Sequence, residues 1–387
     1  MVNEPGERAA IISGLGISRI GRRTSRSAID HALDACLAAV TDAGLTLADI
    51  DGIASLGETP VPEMQDALRL ATNWTGGGLS FGGPLGSVMS AAVAVGAGLA
   101  RHVLVYRCVA AANMGAGAGA RRAAASAETG AGITGAMQWT VPYHVYGTMP
   151  AHAMMLRRHM HLYGTTKEQL GALAVTQRRN AALNELAAYR DPITLDDYLA
   201  ARPICEPLSL LDCDVPVDGG VAVIVSTREH TAGLDHPAVS IHAVGGAVHD
   251  RGTTWEQRSD FPAMMLDDAA RQLWSRSDVG PGDVDVAELY DGFSFITLAW
   301  LEALGFCGRG EGGSFVEGGQ RIGLTGELPL NTYGGQMSAG RMHGYWLLHE
   351  ACLQLRGEAG PRQVDGAEVA LAAAGSGPFG GCMVLTR

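Results

Sequence analysis

Short apolar runs alternate along this chain with segments whose apolar residues recur every three or four positions, and that alternation predicts most of its elements. Residues Ala9 to Leu15 form an apolar run closed by glycine, which reads as a buried strand. From Ser27 to Ala43, the residues Ile29, Ala32, Leu33, Cys36, Leu37 and Val40 share one helical face, and Gly44 supplies the stop. Ile50 to Ser55 predicts a strand, Gly86 to Ala100 a helix dense in small residues, and His102 to Cys108 another strand. The order then returns. Val239 to Val244 is a strand, Ala263 to Trp274 an amphipathic helix, Val284 to Leu289 a strand, Tyr345 to Leu355 a helix and Glu368 to Ala374 a strand. Wording repeats as well: Leu47 to Ile53 echoes Gly280 to Val286, and Gly219 to Val225 echoes Gly380 to Leu385. A doubled α/β unit accounts for both echoes.

This reading divides the chain into halves at 1–238 and 239–387, with an insertion at about 110–216 in the first. The stretch from Gly115 to Gly135 is so rich in Gly and Ala that it reads as a loop or lid. Met154 to Asn180 predicts one or two amphipathic helices, with Tyr163-Gly164-Thr165-Thr166 as break and cap. Arg157, Arg158, Arg178 and Arg179 read as solvated helix faces, phosphate contact being the sharper alternative.

Composition narrows the class. With 387 residues, 47% hydrophobic and 18% charged, the chain can bury a large core. A net charge of -12 and the lack of any basic run interleaved with aromatics argue against nucleic acid as a partner. No stretch of eighteen apolar residues is present and the first residues carry no apolar signal, so no membrane span and a cytoplasmic location are expected. Seven scattered cysteines without a C-x-x-C pair indicate neither a disulfide framework nor a metal site.

The candidate chemistry begins at Tyr290. The segment Asp283 to Phe295 is a strand that stops at this phenol, then an Asp-Gly break, then a helix through Ile296, Leu298, Trp300 and Leu301. Ligands of open α/β sheets bind beyond the carboxyl ends of strands. A lone tyrosine there is nevertheless more often packed, with its hydroxyl satisfied at a rim.

Several separate motifs carry a family resemblance. Arg157-Arg158-His159-Met160-His161-Leu162-Tyr163-Gly164, Pro207-Leu208-Ser209-Leu210-Leu211-Asp212-Cys213, Asp218-Gly219-Gly220-Val221-Ala222-Val223 and Gly310 to Gly319 resemble the sterol carrier protein x and lipid-transfer branch of the thiolase superfamily. The resemblance implies a thiolase fold. Two βαβαβ halves would stack as a five-layer α-β-α-β-α sandwich with an inserted loop domain, in a homodimer. The thiolase chemistry positions have all changed. The nucleophilic Cys falls on Gly83, the histidine of the Gly-His-Pro motif on Arg341, the Asn-Glu-Ala-Phe motif on Tyr290-Asp291-Gly292-Phe293, and the second Cys on Ala374. An acyl-cysteine route is therefore not expected.

Tyr290 at the Asn position and Tyr345 four residues after Arg341 form a pattern that resembles the thiolase-like aldolases of bacterial steroid side-chain breakdown. That resemblance implies Tyr290 and Tyr345 as catalytic residues and retro-aldol cleavage of a β-hydroxyacyl-CoA. The products would be a ring ketone and a short acyl-CoA such as propionyl-CoA. Coenzyme A enters as part of the substrate and no cofactor is required. A small OB-fold and zinc-ribbon protein is the implied partner. An unperturbed phenol is a poor base at neutral pH, so Arg341 is the expected stabiliser of a phenolate and His343 a possible proton relay. Gly83, Asn331, Tyr333, Ser376 and Gly377 are expected to form the oxyanion and substrate pocket; Tyr143, His144 and Tyr146 cluster after the Gly-rich loop and are assigned no role. Which tyrosine is acid and which is base stays open. The competing reading is a non-catalytic acyl-CoA- or lipid-binding subunit of a larger complex.

Overall fold

The computed structural model describes residues 5–79, 81–110, 137–143, 145, 147–248 and 258–387. Its strands are β1 (Ala10–Ile17), β2 (Gly52–Ser55), β3 (Trp74–Gly77), β4 (His102–Ala110), β5 (Pro203–Cys205), β6 (Leu208–Ser209), β7 (Asp218–Thr227), β8 (Val239–Val248), β9 (Val286–Leu289), β10 (Val369–Ser376) and β11 (Phe379–Thr386). Apart from the β5-β6 ribbon, they run in the order β3-β2-β4-β7-β1-β8-β11-β10-β9.

Read outward from the β1-β8 seam, the two arms match. One runs β1-β7-β4-β2-β3, the other β8-β11-β10-β9 and then Leu330, which bridges Ala287 in parallel. In each arm the two strands next to the seam are antiparallel, and a parallel pair follows. The seam itself is short, joining Ile11 to Ser240 and Ile12 to Val239. The helices Gly86–Gly96 and Tyr345–Arg356 each pack on strands of both arms, so the arms fold over a central helical layer. Ala28–Asp42 covers the outer face of β1, β7 and β4, and Leu266–Trp274 that of β8 and β11. The result is a five-layer sandwich of the thiolase type.

The composition explains the close layering. The central helix Gly86–Gly96 is Ala, Gly and Val on nearly every face, so it can bury both sides. At Gly16 a Cβ would stand 2.0 Å from the Ala35 carbonyl oxygen, so glycine sets how near Ala28–Asp42 can approach its sheet. The helix expected to reach Ala100 ends at Gly96, because Ala97 and Gly98 break it before β4. Strand β3, unforeseen, alternates half-buried with exposed positions and carries two glycines, so its apolar signal is weak.

In the insertion, helices Met149–Tyr163 and Lys167–Ala182 are separated at Gly164, and Thr166 caps the second through a box with Gln169. Arg157, Arg158 and Arg179 are exposed, but Arg178 is buried and donates through Nε to Ser338 Oγ at 2.9 Å. The stretch from Gly115 to Gly135 lies outside the described residues, as do His144 and Tyr146. Among the described residues no helix is long and apolar enough to cross a membrane.

Candidate active site

Strand β9 delivers Tyr290 to the carboxyl end of its sheet, and three neighbouring segments fix it there. The Tyr290 N–H donates to Ala373 O at 2.9 Å, continuing the parallel ladder past Leu289. The side chain of Asn331 clamps the residue before it, accepting from Leu289 N at 2.7 Å and donating to Leu289 O at 2.9 Å. A Cβ at Gly292 would lie 2.7 Å from Tyr290 Cε1, so the residue two after the phenol has to be glycine. Asp291 is buried and accepts from the N–H groups of Gln336 (2.9 Å) and Met337 (3.1 Å).

The segment after Asp212 stitches this loop to a second one. Asp212 is a buried hub that accepts from Ser294 Oγ at 2.6 Å, from Ser209 and from Lys167. Beyond it, Asp214 N–H donates to Gly292 O (3.2 Å), Val215 N–H to Gln336 O (2.9 Å), and Arg341 N–H to Val215 O (2.9 Å). The side chains of Asp214 and Arg341 meet at 3.2 Å.

These elements open on a cavity of about 650 Å³. Its polar wall is Tyr290, Asp214, Arg341, Arg107, His343 and Ser376; its apolar wall includes Leu56, Val61, Phe293, Ile296 and Phe379. A pocket of a few charged groups beside an apolar surface suits a bulky ligand with one reactive polar centre. No cysteine is among the lining residues, and burial pushes the thiols of Cys213, Cys307 and Cys352 up to about 12.

Burial dominates the electrostatics. It raises the Tyr290 phenol above its ordinary value, Asp214 and Asp291 add to the rise, and Arg341 and Arg107 oppose it. Burial likewise raises Tyr345, opposed by Ser87 and Arg107. Asp214 is lifted to about 6 by burial against the pull of Arg341, and Asp291 to about 7. His343 is held well below the usual imidazole value by burial and by Arg107 and Arg341. Arg107 Nη2 donates to His343 Nδ1 at 3.0 Å, so the neutral ring carries its proton on Nε2. Arg107 Nη1 is held by the Leu56 carbonyl, while Nε is buried without a partner.

The structure brings Tyr290, Arg341, His343 and Ser376 to the cavity wall and leaves other expected residues elsewhere. Tyr345 is fully buried behind the wall at the start of its helix; its hydroxyl lies near that of Ser87, and among the described residues neither makes a hydrogen bond of regular geometry. Tyr333 is also fully buried, stacked near Trp346 with its hydroxyl unpartnered. Asn331 serves the β9 backbone, and Gly377 N–H is directed at Met264 Sδ (3.1 Å). Gly83 is buried at φ +57°, where a Cβ would meet Phe379 Cδ2 at 2.8 Å; the position has no room for a thiol. Tyr143 is exposed and lies off the cavity wall. Arg341 is paired with Asp214 and influences Tyr290 but not Tyr345; the cation that influences both phenols is Arg107.

Arg107 and Asp214 are the functional candidates that sequence reasoning missed. Each left a faint signal. Arg107 is a charge in the otherwise apolar run Val103 to Ala110, and Asp214 precedes the apolar Val215-Pro216-Val217.

Comparison with known proteins gives this site its family. The chain is 36% identical over 90% of its length, and 90% of the relative's, to a steroid side-chain-cleaving aldolase of Thermomonospora curvata. It belongs to the thiolase-like aldolases. A 17-hydroxy-3-oxo-4-pregnene-20-carboxyl-CoA lyase of Mycobacterium tuberculosis is 35% identical, covering 95% of this chain and 96% of the lyase. The solved Ltp2-ChsH2(DUF35) aldolase superposes with a TM-score of 0.87 at 33% identity, over 99% of this chain and 98% of the other. Residues 246–385 match the thiolase C-terminal domain-like model. Family membership fits a cavity without a thiol and with a phenol at the end of β9.

Proposed function

We propose that this aldolase cleaves a β-hydroxyacyl-CoA carrying a steroid-like ring system, by retro-aldol reaction, to a ring ketone and a short acyl-CoA. The observation that carries the reading is the cavity itself: Tyr290, Arg107, His343, Asp214 and Arg341 line it together with the apolar side chains of Leu56, Val61, Phe293, Ile296 and Phe379. In the compound named for the M. tuberculosis lyase, the 17-hydroxyl is β to the thioester carbonyl. Breaking the bond between C17, which carries the hydroxyl, and the α-carbon C20 leaves a 17-ketone and propionyl-CoA.

Retro-aldol cleavage needs a base for the hydroxyl proton, stabilisation of the thioester enolate, and an acid for its α-carbon. Tyr290, as the phenolate that the Arg341 and Arg107 cations stabilise against burial, takes the hydroxyl proton as the ketone forms. The Arg107 guanidinium and the Nε2–H of His343 face the enolate oxygen. Tyr345, behind the wall and within the influence of Arg107, returns a proton to the α-carbon once the substrate gives its hydroxyl access.

The working assembly in this reading is a homodimer joined by a small OB-fold partner, in keeping with the two-component name of the Ltp2-ChsH2(DUF35) aldolase. The test is mass spectrometry of products after incubating the protein, with and without such a partner, with 17-hydroxy-3-oxo-4-pregnene-20-carboxyl-CoA. Paired appearance of the 17-ketone and propionyl-CoA is expected. Intact thioester that co-purifies with the protein instead supports an acyl-CoA-binding subunit. Light scattering of the same samples reads the copy number.

A further inference from the structure

The loop between β1 and the helix Ala28–Asp42 contains Arg19-Ile20-Gly21-Arg22-Arg23-Thr24-Ser25-Arg26. These eight residues hold four of the chain's 28 lysines and arginines and not one acid, in a protein of net charge -12. The fold gathers the four. Arg19, Arg22, Arg23 and Arg26 line a cavity of about 360 Å³ with the buried His31, and none of its lining residues belongs to the active-site cavity.

We infer that this cavity is a second binding site, which holds a phosphate group through Arg19 and Arg23. Three observations carry the inference, and none depends on the retro-aldol reading. The first is which charges are already engaged. Arg22 donates to the Tyr189 hydroxyl and lies over that ring, 5.4 Å from its centre, and Arg26 pairs with Asp34 at 2.5 Å. Among the described residues, the exposed side chains of Arg19 and Arg23 make no ion pair and no hydrogen bond, and no carboxylate lines the cavity. Two guanidinium forks are left for an anion, and phosphate oxygens match that fork.

The second is that the loop is built rather than loose. Gly21 and Asp218 exchange backbone hydrogen bonds at 2.7 and 3.0 Å, and Thr24 N–H donates to Asp218 Oδ2 at 2.8 Å. The His31 ring lies 3.0 Å from Thr24 Oγ1 and 3.1 Å from Ser18 Oγ. These bonds hold Arg23 and Ser25 at φ +57°, where residues other than glycine are uncommon, and such strain clusters at ligand clamps.

The third is place. Asp218 pairs with Ala110 on β4, three residues beyond Arg107 and therefore roughly 10 Å along the strand. Tyr189, under Arg22, donates its N–H to Ser338 O at 3.0 Å, three residues before Arg341. The arginine cavity thus opens at the same end of the sheet as the active site. The phosphates at the nucleotide end of a CoA thioester and free inorganic phosphate present the same chemistry to it.

The test is isothermal titration calorimetry of the native protein and of the double variant Arg19→Gln/Arg23→Gln, with inorganic phosphate and with adenosine 3′,5′-bisphosphate. Both residues are exposed, so the variant should melt as the native protein does. The native protein should bind, more weakly as salt rises, and the variant should lose at least about 10-fold in affinity. Arg157→Gln/Arg158→Gln, which removes two exposed charges outside this cavity, should bind as the native protein does. Tighter binding of the bisphosphate, with a KM for the steroid thioester that rises in Arg19→Gln/Arg23→Gln at unchanged kcat, assigns the site to the substrate's own phosphates. Equal binding of the two probes with an unchanged KM assigns it to free phosphate. The inference is overturned by no binding to the native protein, by native affinity in Arg19→Gln/Arg23→Gln, or by an equal loss in Arg157→Gln/Arg158→Gln. Calorimetry needs no turnover, so its outcome is read separately from that of the cleavage assay.

Discussion

Replacing Arg107 by Met tests the electrostatics of the cavity. The guanidinium is largely buried, faces His343 at 3.0 Å and influences both Tyr290 and Tyr345. A hydrogen bond from a charged donor is worth about 1.5–3 kcal/mol, and a tenfold change in rate corresponds to about 1.4 kcal/mol. If that interaction forms fully only with the enolate, Arg107→Met should lower kcat by about 10- to 100-fold. Stability should fall as well: the variant leaves the Leu56 carbonyl and His343 Nδ1 without the donor they have in the native protein, at about 1–3 kcal/mol each, so the melting temperature should drop. A spectroscopic change accompanies it: Arg107 is one of two cations depressing His343, so the imidazole should titrate at higher pH in the variant, as nuclear magnetic resonance of its ring protons would show. A kcat within threefold of native, with an unmoved His343, would refute the electrostatic argument.

Tyr290→Phe and Tyr345→Phe should each reduce turnover by orders of magnitude while leaving the protein folded; native-like rates in both, measured by thioester consumption, would remove the phenols from the mechanism. Asn331→Ala should cost about 2–4 kcal/mol in denaturant unfolding, since it leaves the Leu289 N–H and carbonyl unpaired in the core, and activity should fall because that clamp aims Tyr290. His349 is buried, and burial depresses it to about 4. Below about 6.5 the unfolded chain binds a proton that the folded chain refuses, so stability should fall as pH drops from about 6.5 to 4. The loss should reach roughly 3 kcal/mol per linkage, and His349→Gln should remove that part of the pH dependence.

Much of the fold was written in local pattern. Periods of two and of three to four residues marked β1, β4, β8, β9 and β10 and their covering helices, because a layered α/β core demands apolar residues at those spacings. The two echoes revealed the doubling, since each arm solves the same packing problem with similar turns. The sequence also located Tyr290: a strand end followed by Asp-Gly is a local feature, and Gly292 is dictated by the phenol next to it. What no local pattern contained was the company this phenol keeps. Arg107 comes from β4 in the other arm, and Asp214 from the segment crossing between the two loops; both reach the cavity only when the arms fold over the central helices. Arg341 looked like the phenolate's cation because it is near Tyr345 in sequence; in the fold it pairs with Asp214, and its charge acts on Tyr290 rather than on Tyr345. Whether a phenol is an acid or a base is likewise a tertiary matter. It depends on burial and on charges brought from distant residues, and those exist only in the folded chain.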